Sequence, residues 1–311
     1  WTITDGGRVT PGIDCPYIFT DANIQTAVDL WVSDQSTATT TYGDISTWDV
    51  SQVTDMSNLF QNKTTFNGDI GAWDVSNVTD MELMFTGASS FNQDLSSWDV
   101  SSVTNMRSMF REIGSNFNSD ISSWNVSNVT NMAFIFQNAS SFNQDLSSWN
   151  VSQVQDATNM FRGAITFNQD ISGWNVISLT TTNRMFYNAD TFNQDISSWD
   201  VSNVTDMELM FSSATAFNQD VSTWDVSNVT DMTYMFDNSG VSTDNYDNIL
   251  IGWSSQTLQS NVPFGANGIN YCSSEAARQI LIDTYSWTIT DGGRVTPGID
   301  CPYIFTDANI Q

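Results

Sequence analysis

The chain has 311 residues and a formal net charge of −27, from 35 acidic and 8 basic side chains, and it contains no histidine. Such a charge excludes nucleic-acid binding and disfavours an anionic membrane surface, because no basic surface is available to neutralise phosphates. Without histidine there are no Ser-His-Asp or Cys-His nucleophile systems and no histidine metal sites. Without a run of about 20 apolar residues, no direct membrane insertion is expected.

The first 25 residues and the last 25 are identical, WTITDGGRVTPGIDCPYIFTDANIQ, which sets a repeating unit of 286 residues. A match of this length is not chance, so we expect a window on a longer tandem array of neighbouring units. In this frame residues 1–15 form the end of the preceding unit, with its cap strand and junction. Residues 16–41 then form an N-terminal capping helix that starts at Thr20 or Asp21.

Residues 42–253 contain a second, shorter period, in which the motif FNQDISSWDVSNVTDMxxMFxxA recurs every 25 or 26 residues. A fixed period of 20 to 50 residues indicates a solenoid. Within one repeat, Trp124 and Val126 alternate with polar neighbours and predict a short strand, and the apolar spacing of residues 129–136 predicts a short helix. A degenerate ninth repeat is expected at residues 246–253. The tryptophans that mark the full repeats are Trp48, Trp73, Trp98, Trp124, Trp149, Trp174, Trp199 and Trp224.

The remaining residues are expected to close the unit and begin the next one. Residues 254–286 are predicted to hold a second capping helix, which starts at Ser273 or Ser274. Residues 287–311 are predicted to hold a cap strand, the junction and the start of the next unit.

Two cysteines fall in each unit, since Cys15 and Cys301 occupy the same position in successive units. A secreted, extracellular protein and an even count favour a disulfide between Cys272 and Cys301, which lie 29 residues apart. Two free thiols are the alternative. Cys15 then has no partner inside this window.

Stacked repeats predict an α/β fold, a solenoid with one short parallel strand and one short helix per 25-residue coil, capped by helices at both ends. The motifs WDVSNVTDM, MFxxA and FNQDISSW resemble the repeats of BspA-like leucine-rich-repeat bacterial surface proteins, over roughly Ile45 to Trp253. The resemblance implies a right-handed solenoid, a place on the cell surface, and a role in adhesion or aggregation without catalytic residues. The sixth repeat departs from the pattern at Ile177 and Thr182, where a local irregularity is expected.

Polar residues recur at the position after each Trp, flanked in most repeats by Ser or Thr. Stacked strands about 4.8 Å apart would align these residues into a strip for glycan or partner contact. A plain solvated face is the alternative. The column comprises Asp49, Asp74, Asp99, Asn125, Asn150, Asn175, Asp200 and Asp225.

A second column consists of aspartates that stacking would place opposite one another, which destabilises a stack of strands. Either these carboxylates accept backbone hydrogen bonds within a turn, or calcium bridges them, and calcium is the one cofactor considered. The preceding asparagines, Asn67 and its equivalents, are expected to form an internal amide ladder. The aspartates are Asp69, Asp94, Asp120, Asp145, Asp170, Asp195 and Asp220.

No enzyme is expected, because the carboxylates are periodic whereas a glycosidase needs one unique pair. The first hypothesis is a structural module of a long extracellular filament or adhesin, which attaches to cells or surfaces through lateral association of identical chains. Its outer partner would be a host or prey cell surface or a glycan. Its expected assembly contacts lie on the predicted helix or the loop after it: Arg107, Arg111, Arg162 and Arg184.

The second hypothesis is a glycan- or calcium-dependent binding module on an adhesin stalk. Identity between units favours the first hypothesis, because a lateral contact repeats along a fibre only if every unit is alike.

Overall fold

A computed structural model describes residues 17–295 and Cys301, and the chain divides into two compact units, residues 1–154 and 155–311. Both units are mixed α/β, with few short helices and strands. The named strands form two separate two-stranded parallel sheets, neither of them closed. None of the helices in the described part of the chain is long and apolar enough to cross a membrane.

The first unit opens with two helices and a parallel strand pair. Its elements are β1 (Ile18–Thr20), α1 (Ile24–Ser33), α2 (Gln35–Tyr42), a 3-10 turn (Ile45–Thr47) and β2 (Asp49–Gln52). Helix α1 begins after Asn23, later than the predicted Thr20 or Asp21. Asp21 accepts the backbone N–H groups of Thr54 and Asp55 instead, at 2.8 and 3.1 Å, so it fastens the first repeat to the cap.

Parallel contacts between successive repeats lie on the residue before the first Met, not on Trp-x-Val. In the first unit, isolated parallel bridges join Asp55 to Asp80, Asp80 to Asn105 and Asn105 to Asn131. The parallel direction is as predicted, but the predicted strand on every Trp-x-Val is wrong, since only β2 forms there among the described residues. The Asp or Asn after each Trp captures a backbone N–H two residues on, which bends the chain into a turn.

The helix predicted for each repeat is also wrong, because the segment is a chain of tight turns. In the second repeat the N–H of Met84 bonds to the carbonyl of Met81 at 3.2 Å, and the same three-residue step recurs twice in the next four residues. The N–H groups in between donate to the following repeat: that of Phe85 donates to the carbonyl of Met109 and that of Gly87 to the carbonyl of Arg111, both at 2.9 Å. An α-helix needs each N–H for the carbonyl four residues back, so this ladder and a helix exclude each other.

Two positions in each turn segment adopt a left-handed backbone. In the second repeat these are Leu83, with a φ of 59°, and Gly87, with a φ of 69°. A positive φ is unfavourable for a residue such as leucine. The hydrogen bonds to the next repeat therefore outweigh a local preference at this position.

The second unit ends in a cap of elements that do not repeat. They are α3 (Thr243–Ser254), β3 (Pro263–Ala266), α4 (Glu275–Tyr285) and β4 (Thr288–Asp291). The degenerate ninth repeat at residues 246–253 is wrong, because these residues lie in α3. The Ser242 hydroxyl accepts the Asn245 N–H at 3.3 Å and caps this helix. The indole of Trp253 still donates to the carbonyl of Val221 at 3.2 Å, as a repeat Trp does.

The rest of the cap follows the sequence more closely. Helix α4 begins after Ser274, one of the two predicted starts. Strand β4, in the predicted cap-strand segment, pairs in parallel with β3 over its whole length.

Aromatic side chains stack from repeat to repeat and fill the core of each unit. The ring centroids of Phe60 and Phe85 lie 5.3 Å apart in the first unit, and those of Phe186 and Phe211 lie 5.6 Å apart in the second. The predicted burial of the repeat tryptophans is confirmed, since none is more than 5% exposed. Apolar burial at about 25 cal/mol per Å² and ring pairs of about 0.5–1.5 kcal/mol stabilise this stack.

Candidate functional site

The column after each Trp is a series of turns closed by its own side chains. In all eight repeats the Asp or Asn oxygen accepts the backbone N–H two residues on, at 3.0 to 3.3 Å. The Ser101 hydroxyl and backbone N–H hold the pKa of Asp99 below its usual value, and Ser227 does the same for Asp225. The column is largely exposed, so it presents a carboxylate to solvent in five repeats and an amide in the other three.

The second aspartate column, from Asp69 to Asp220, has the same local role. Each of its seven carboxylates accepts the backbone N–H two residues on, at 2.8 to 3.0 Å. Of the two alternatives for this column, the structure shows the backbone hydrogen bonds. No group of three or more His, Cys, Asp or Glu residues in the described ranges is placed to hold a metal ion.

Electrostatics within the second column reflect both the turns and the repeated charge. The backbone N–H of Ser96 lowers the pKa of Asp94, although the nearby charge of Asp120 acts to raise it. In the second unit, the backbone N–H of Ser197 lowers the pKa of Asp195 against the charge of Asp170. The turn hydrogen bonds therefore outweigh repulsion along the column.

A threonine ladder, missed by sequence reasoning, runs along each unit. Thr104 donates its backbone N–H and its hydroxyl to the carbonyl of Thr79, at 2.9 and 3.2 Å. In the second unit Thr230 donates both groups to Thr205, at 2.9 and 3.0 Å. The sequence places these threonines before an apolar run, which suggests an N-cap, and only the neighbouring repeat reveals their actual acceptor.

The asparagine ladder is present on the surface rather than inside. The Asn67 side-chain oxygen accepts the backbone N–H of Asn92 at 2.9 Å and the side-chain amide of Gln93 at 2.8 Å. In the second unit the Asn168 side-chain oxygen accepts the backbone N–H of Asn193 at 2.9 Å. These amides lock adjacent repeats at a fixed register.

The four candidate assembly arginines lie on the turn segments and have partners within the chain. Arg107 pairs with Glu82 of the preceding repeat at 3.0 Å, and Arg184 pairs with Glu208 of the following repeat at 2.8 Å. Arg111 pairs with its neighbour Glu112 at 3.2 Å, and the Arg162 guanidinium lies 5.3 Å from the centre of the Tyr187 ring. All four arginines are partly exposed, so they supply positive charge to the surface that the turn segments form.

Cys272 and Cys301 form a disulfide in the cap, with their Cα atoms 5.6 Å apart. Cys15, which the sequence analysis leaves without a partner inside this window, lies outside the described residues. The predicted junction residues 1–15 lie there too, as does the predicted start of the next unit at residues 302–311.

A buried carboxylate beside the disulfide organises the start of α4. Asp247, 5% exposed, accepts the backbone N–H groups of Cys272, Ser273 and Ser274 at 3.0, 2.8 and 3.0 Å. Burial acts to raise the pKa of Asp247, but the Ser274 hydroxyl and the backbone N–H groups of Ser273 and Cys272 outweigh it and lower the pKa. The only signal in the sequence is an Asp inside an otherwise apolar helical face.

A second polar network joins α3, α4 and β4. The Arg278 Nε donates to Asp291 Oδ2 at 2.7 Å, and the Tyr246 hydroxyl donates to the same carboxylate at 3.1 Å. Burial raises the pKa of Tyr246, and the charge of Asp291 adds to the shift. The Arg278 guanidinium also stacks 5.3 Å from the centre of the Tyr271 ring. Among the residues that the structure describes, each of these contacts occurs once, so the cap is stabilised without periodicity.

Comparison with known proteins identifies the repeats. The family model described as "Mycoplasma protein of unknown function, DUF285" matches residues 30–115, 112–189 and 166–262, three times in tandem. No curated protein and no solved structure matches the chain.

Proposed function

The chain belongs to the DUF285 family, and on this premise we propose that it is a non-enzymatic structural repeat module of a long extracellular filament or adhesin. The observation that carries the proposal is the backbone ladder in which alternate N–H groups of each turn segment donate to the next repeat. In such a ladder every repeat makes the same hydrogen bonds, and the structure is extended by adding repeats. The three tandem family matches support the same interpretation.

Within each unit, we propose a right-handed solenoid of the kind found in BspA-like leucine-rich-repeat surface proteins. The parallel bridges, the stacked rings and the threonine and asparagine ladders support this architecture. Its coils differ from the strand-and-helix coil that the resemblance implies, because turns take the place of the helix. The sequence resemblance also supports a place on the cell surface and a role in attachment.

Lateral contact between identical chains is the proposed mode of assembly. Two chains that each carry a net charge of −27 repel one another at low salt, and physiological salt screens that repulsion beyond about 8 Å. Surface ion pairs such as Arg107 with Glu82 contribute only about 0–1 kcal/mol. An arginine can therefore exchange its carboxylate partner within the chain for one on a neighbouring chain at little cost in free energy. One weak contact of this kind, repeated along many units, gives high avidity.

A second candidate is a glycan- or calcium-dependent binding module on an adhesin stalk. It is favoured by the exposed column after each Trp, where a hydroxyl and a carboxylate meet, as Ser76 and Asp74 do at 2.6 Å. Such oxygen-rich strips offer the groups that sugars and calcium use. A host or prey cell surface would be the partner of this face.

Sedimentation velocity distinguishes the two candidates. The purified chain is compared at about 0.01 M and about 0.15 M salt, with and without calcium, alongside the R107A/R184A variant. Association that grows with salt and weakens in this variant supports lateral assembly. The matched control is K63A. It removes the 2.5 Å ion pair between Lys63 and Asp29 of α1, and it is expected to associate like the unmodified chain.

A chain that remains single at every salt concentration contradicts lateral assembly. Association or glycan binding that appears only with calcium supports the second candidate instead.

A further inference from the structure

Residues 287–301 are here called the insert, and its described residues, 287–295 and Cys301, are part of the cap at the end of the second unit. Trp287 is 3% exposed, and its indole donates to the carbonyl of Gln259 at 2.9 Å. Strand β4 then adds to β3 in an unbroken parallel register, from the Pro263–Thr288 pair to the Ala266–Asp291 pair.

The insert is held by three further contacts of different chemistry. Asp291, whose side chain is 2% exposed, pairs with Arg278 at 2.7 Å. Farther along, the Val295 N–H donates to the carbonyl of Tyr271 at 2.9 Å. The disulfide to Cys272 closes the far end of the insert. We call β3, residues 269–274, Tyr246 and Arg278 the receptor.

The insert fits the receptor sterically as well. A Cβ on Gly292 would lie 2.2 Å from the Asn270 side-chain oxygen and 2.9 Å from the Ile269 carbonyl. The Gly292 N–H donates to that same carbonyl at 2.7 Å. Only glycine can approach this closely, so the insert sequence matches this receptor in detail.

Residues 1–15 repeat the insert letter for letter, so that Trp1, Asp5, Gly6 and Cys15 correspond to Trp287, Asp291, Gly292 and Cys301. We propose that residues 1–15 are a second insert, which completes the receptor of another copy of this chain. The occupant is thus a second copy, and the link is head to tail: a parallel strand added to β3, an Asp5–Arg278 ion pair and a Cys15–Cys272 disulfide.

Strand addition of this type gives affinity through backbone hydrogen bonds and specificity through side-chain pockets. The insert already in the receptor competes with the same sequence at a high effective concentration, of the order of millimolar for a short connection. The link between copies therefore forms where the insert of the same chain is weakened or displaced.

The covalent step needs no outside oxidant. A Cys15 thiol releases its proton to water, and its thiolate attacks the Cys272 sulfur of the Cys272–Cys301 disulfide. The Cys15–Cys272 bond forms as the Cys272–Cys301 bond breaks, and the departing Cys301 thiolate takes up a proton. This inference does not depend on lateral assembly, because the receptor lies in the cap and not on the arginine-bearing turn segments.

Because the two inserts are identical, the chain supplies its own matched controls. Full-length D291A/C301S weakens the insert in the receptor, and D5A/C15S makes the same changes in the other copy. The molar mass of each variant is measured by light scattering after size-exclusion chromatography, and its disulfides are mapped by mass spectrometry of non-reduced peptides. Far-UV circular dichroism checks that each variant is folded.

The expected result is that D291A/C301S, in a glutathione redox buffer whose oxidised glutathione accepts the two electrons, forms dimers and longer species linked by Cys15–Cys272, while D5A/C15S remains a single chain. Combining all four substitutions returns the mass to that of a single chain. A D291A/C301S protein that stays single with both thiols free overturns the inference, and so do oligomers that persist in the fourfold variant.

A peptide experiment covers the case in which D291A/C301S does not fold. A synthetic peptide with the sequence of residues 1–15 is incubated with the unmodified chain in a glutathione redox buffer. Capture of the peptide on Cys272, with release of the Cys301 thiol, is expected, and the peptide with D5A should be captured at least about tenfold less because it lacks the buried ion pair. Equal capture of both peptides, or none, overturns the inference. Salt-dependent association of the unmodified chain is unaffected by either result.

Discussion

The repeats and the C-terminal cap, described over residues 243–295 and Cys301, bury similar kinds of side chains but are stabilised in opposite ways. In the repeats, one contact is used over and over, as when Thr205 bonds to Thr180 and Thr230 bonds to Thr205. In the cap, each contact occurs once among the described residues, as the Asp247 cluster and the Arg278–Asp291 pair do. Removing a repeated contact leaves its neighbours in place, whereas removing a unique one leaves buried groups unpaired.

The largest effect is expected for Asp247→Ala in the cap. The substitution removes the acceptor of three backbone N–H groups, two of which belong to the buried residues Cys272 and Ser274. We expect the free energy of unfolding of the second unit to fall by about 3–5 kcal/mol. Urea denaturation followed by tryptophan fluorescence measures the change. The matched control is Asp195→Ala in a repeat, which removes one exposed turn bond and should cost about 1 kcal/mol or less. Equal losses in the two variants would remove the distinction between cap and repeats.

Reduction of the Cys272–Cys301 disulfide is expected to come next. A closed loop of this length restricts the unfolded chain by about 3–4 kcal/mol, and the effect should be confined to the cap. Hydrogen exchange before and after reduction should show lost protection in β3 and β4 and little change in the repeat ladders. Loss of protection spread evenly over the repeats would show that the disulfide supports more than the cap.

Thr182→Val, a substitution in a repeat, should stabilise the protein, whereas the changes in the cap should destabilise it. Thr182 is fully buried at a position where six other repeats have Met and the fifth has Ala157, and its hydroxyl has no hydrogen-bond partner. Replacing the hydroxyl with a methyl group of similar size should raise the free energy of unfolding by about 1–2 kcal/mol.

The control for this variant is Thr180→Val, two residues away and exposed. Its hydroxyl donates to the carbonyl of Gln155 at 3.2 Å, so the change should destabilise by about 0.5–1 kcal/mol. Stability is measured by thermal unfolding. A loss of stability in Thr182→Val would contradict the claim that the Thr182 hydroxyl is buried without a hydrogen-bond partner.

The smallest effect per residue is expected from pH, and it should come chiefly from the repeats. Turn hydrogen bonds lower the pKa values of Asp94, Asp120 and Asp195 in the folded chain. A lowered folded pKa contributes stability above the unfolded value of about 3.9, and this is lost as pH falls through the folded pKa. Unfolding midpoints at constant high salt, which screens the net negative charge, should therefore be flat at neutral pH and fall below about pH 4.

Asp195→Asn tests the assignment, since the amide keeps the turn acceptor and cannot titrate. Its midpoint should depend less on pH than that of the unmodified chain. An unchanged pH dependence would place the titrating groups elsewhere, as in the Asp247 cluster.

Much of the repeat could be predicted because periodicity reports burial directly. The Trp, Met and Phe positions expected in the core are buried, and the parallel direction of pairing is confirmed. The helix could not be excluded in this way, since the chain of turns after Val78 places apolar residues at the same three- and four-residue spacing as a helix. The partners of Arg107 and Arg184 likewise lie about one repeat away, where local patterns give no information.

The sequence by itself determined the two periods, the set of core side chains, and the cysteine pair that meets in the cap. These follow from composition and spacing, because apolar side chains must be buried and two repeats of one sequence must form the same contacts. Only the tertiary structure decided how the backbone hydrogen bonds are shared, and hence that alternate N–H groups of Met81 and its neighbours serve the next repeat rather than a helix. A donor bonds to the nearest well-placed acceptor, and in a stacked repeat that acceptor lies one repeat away in sequence but about 3 Å away in space.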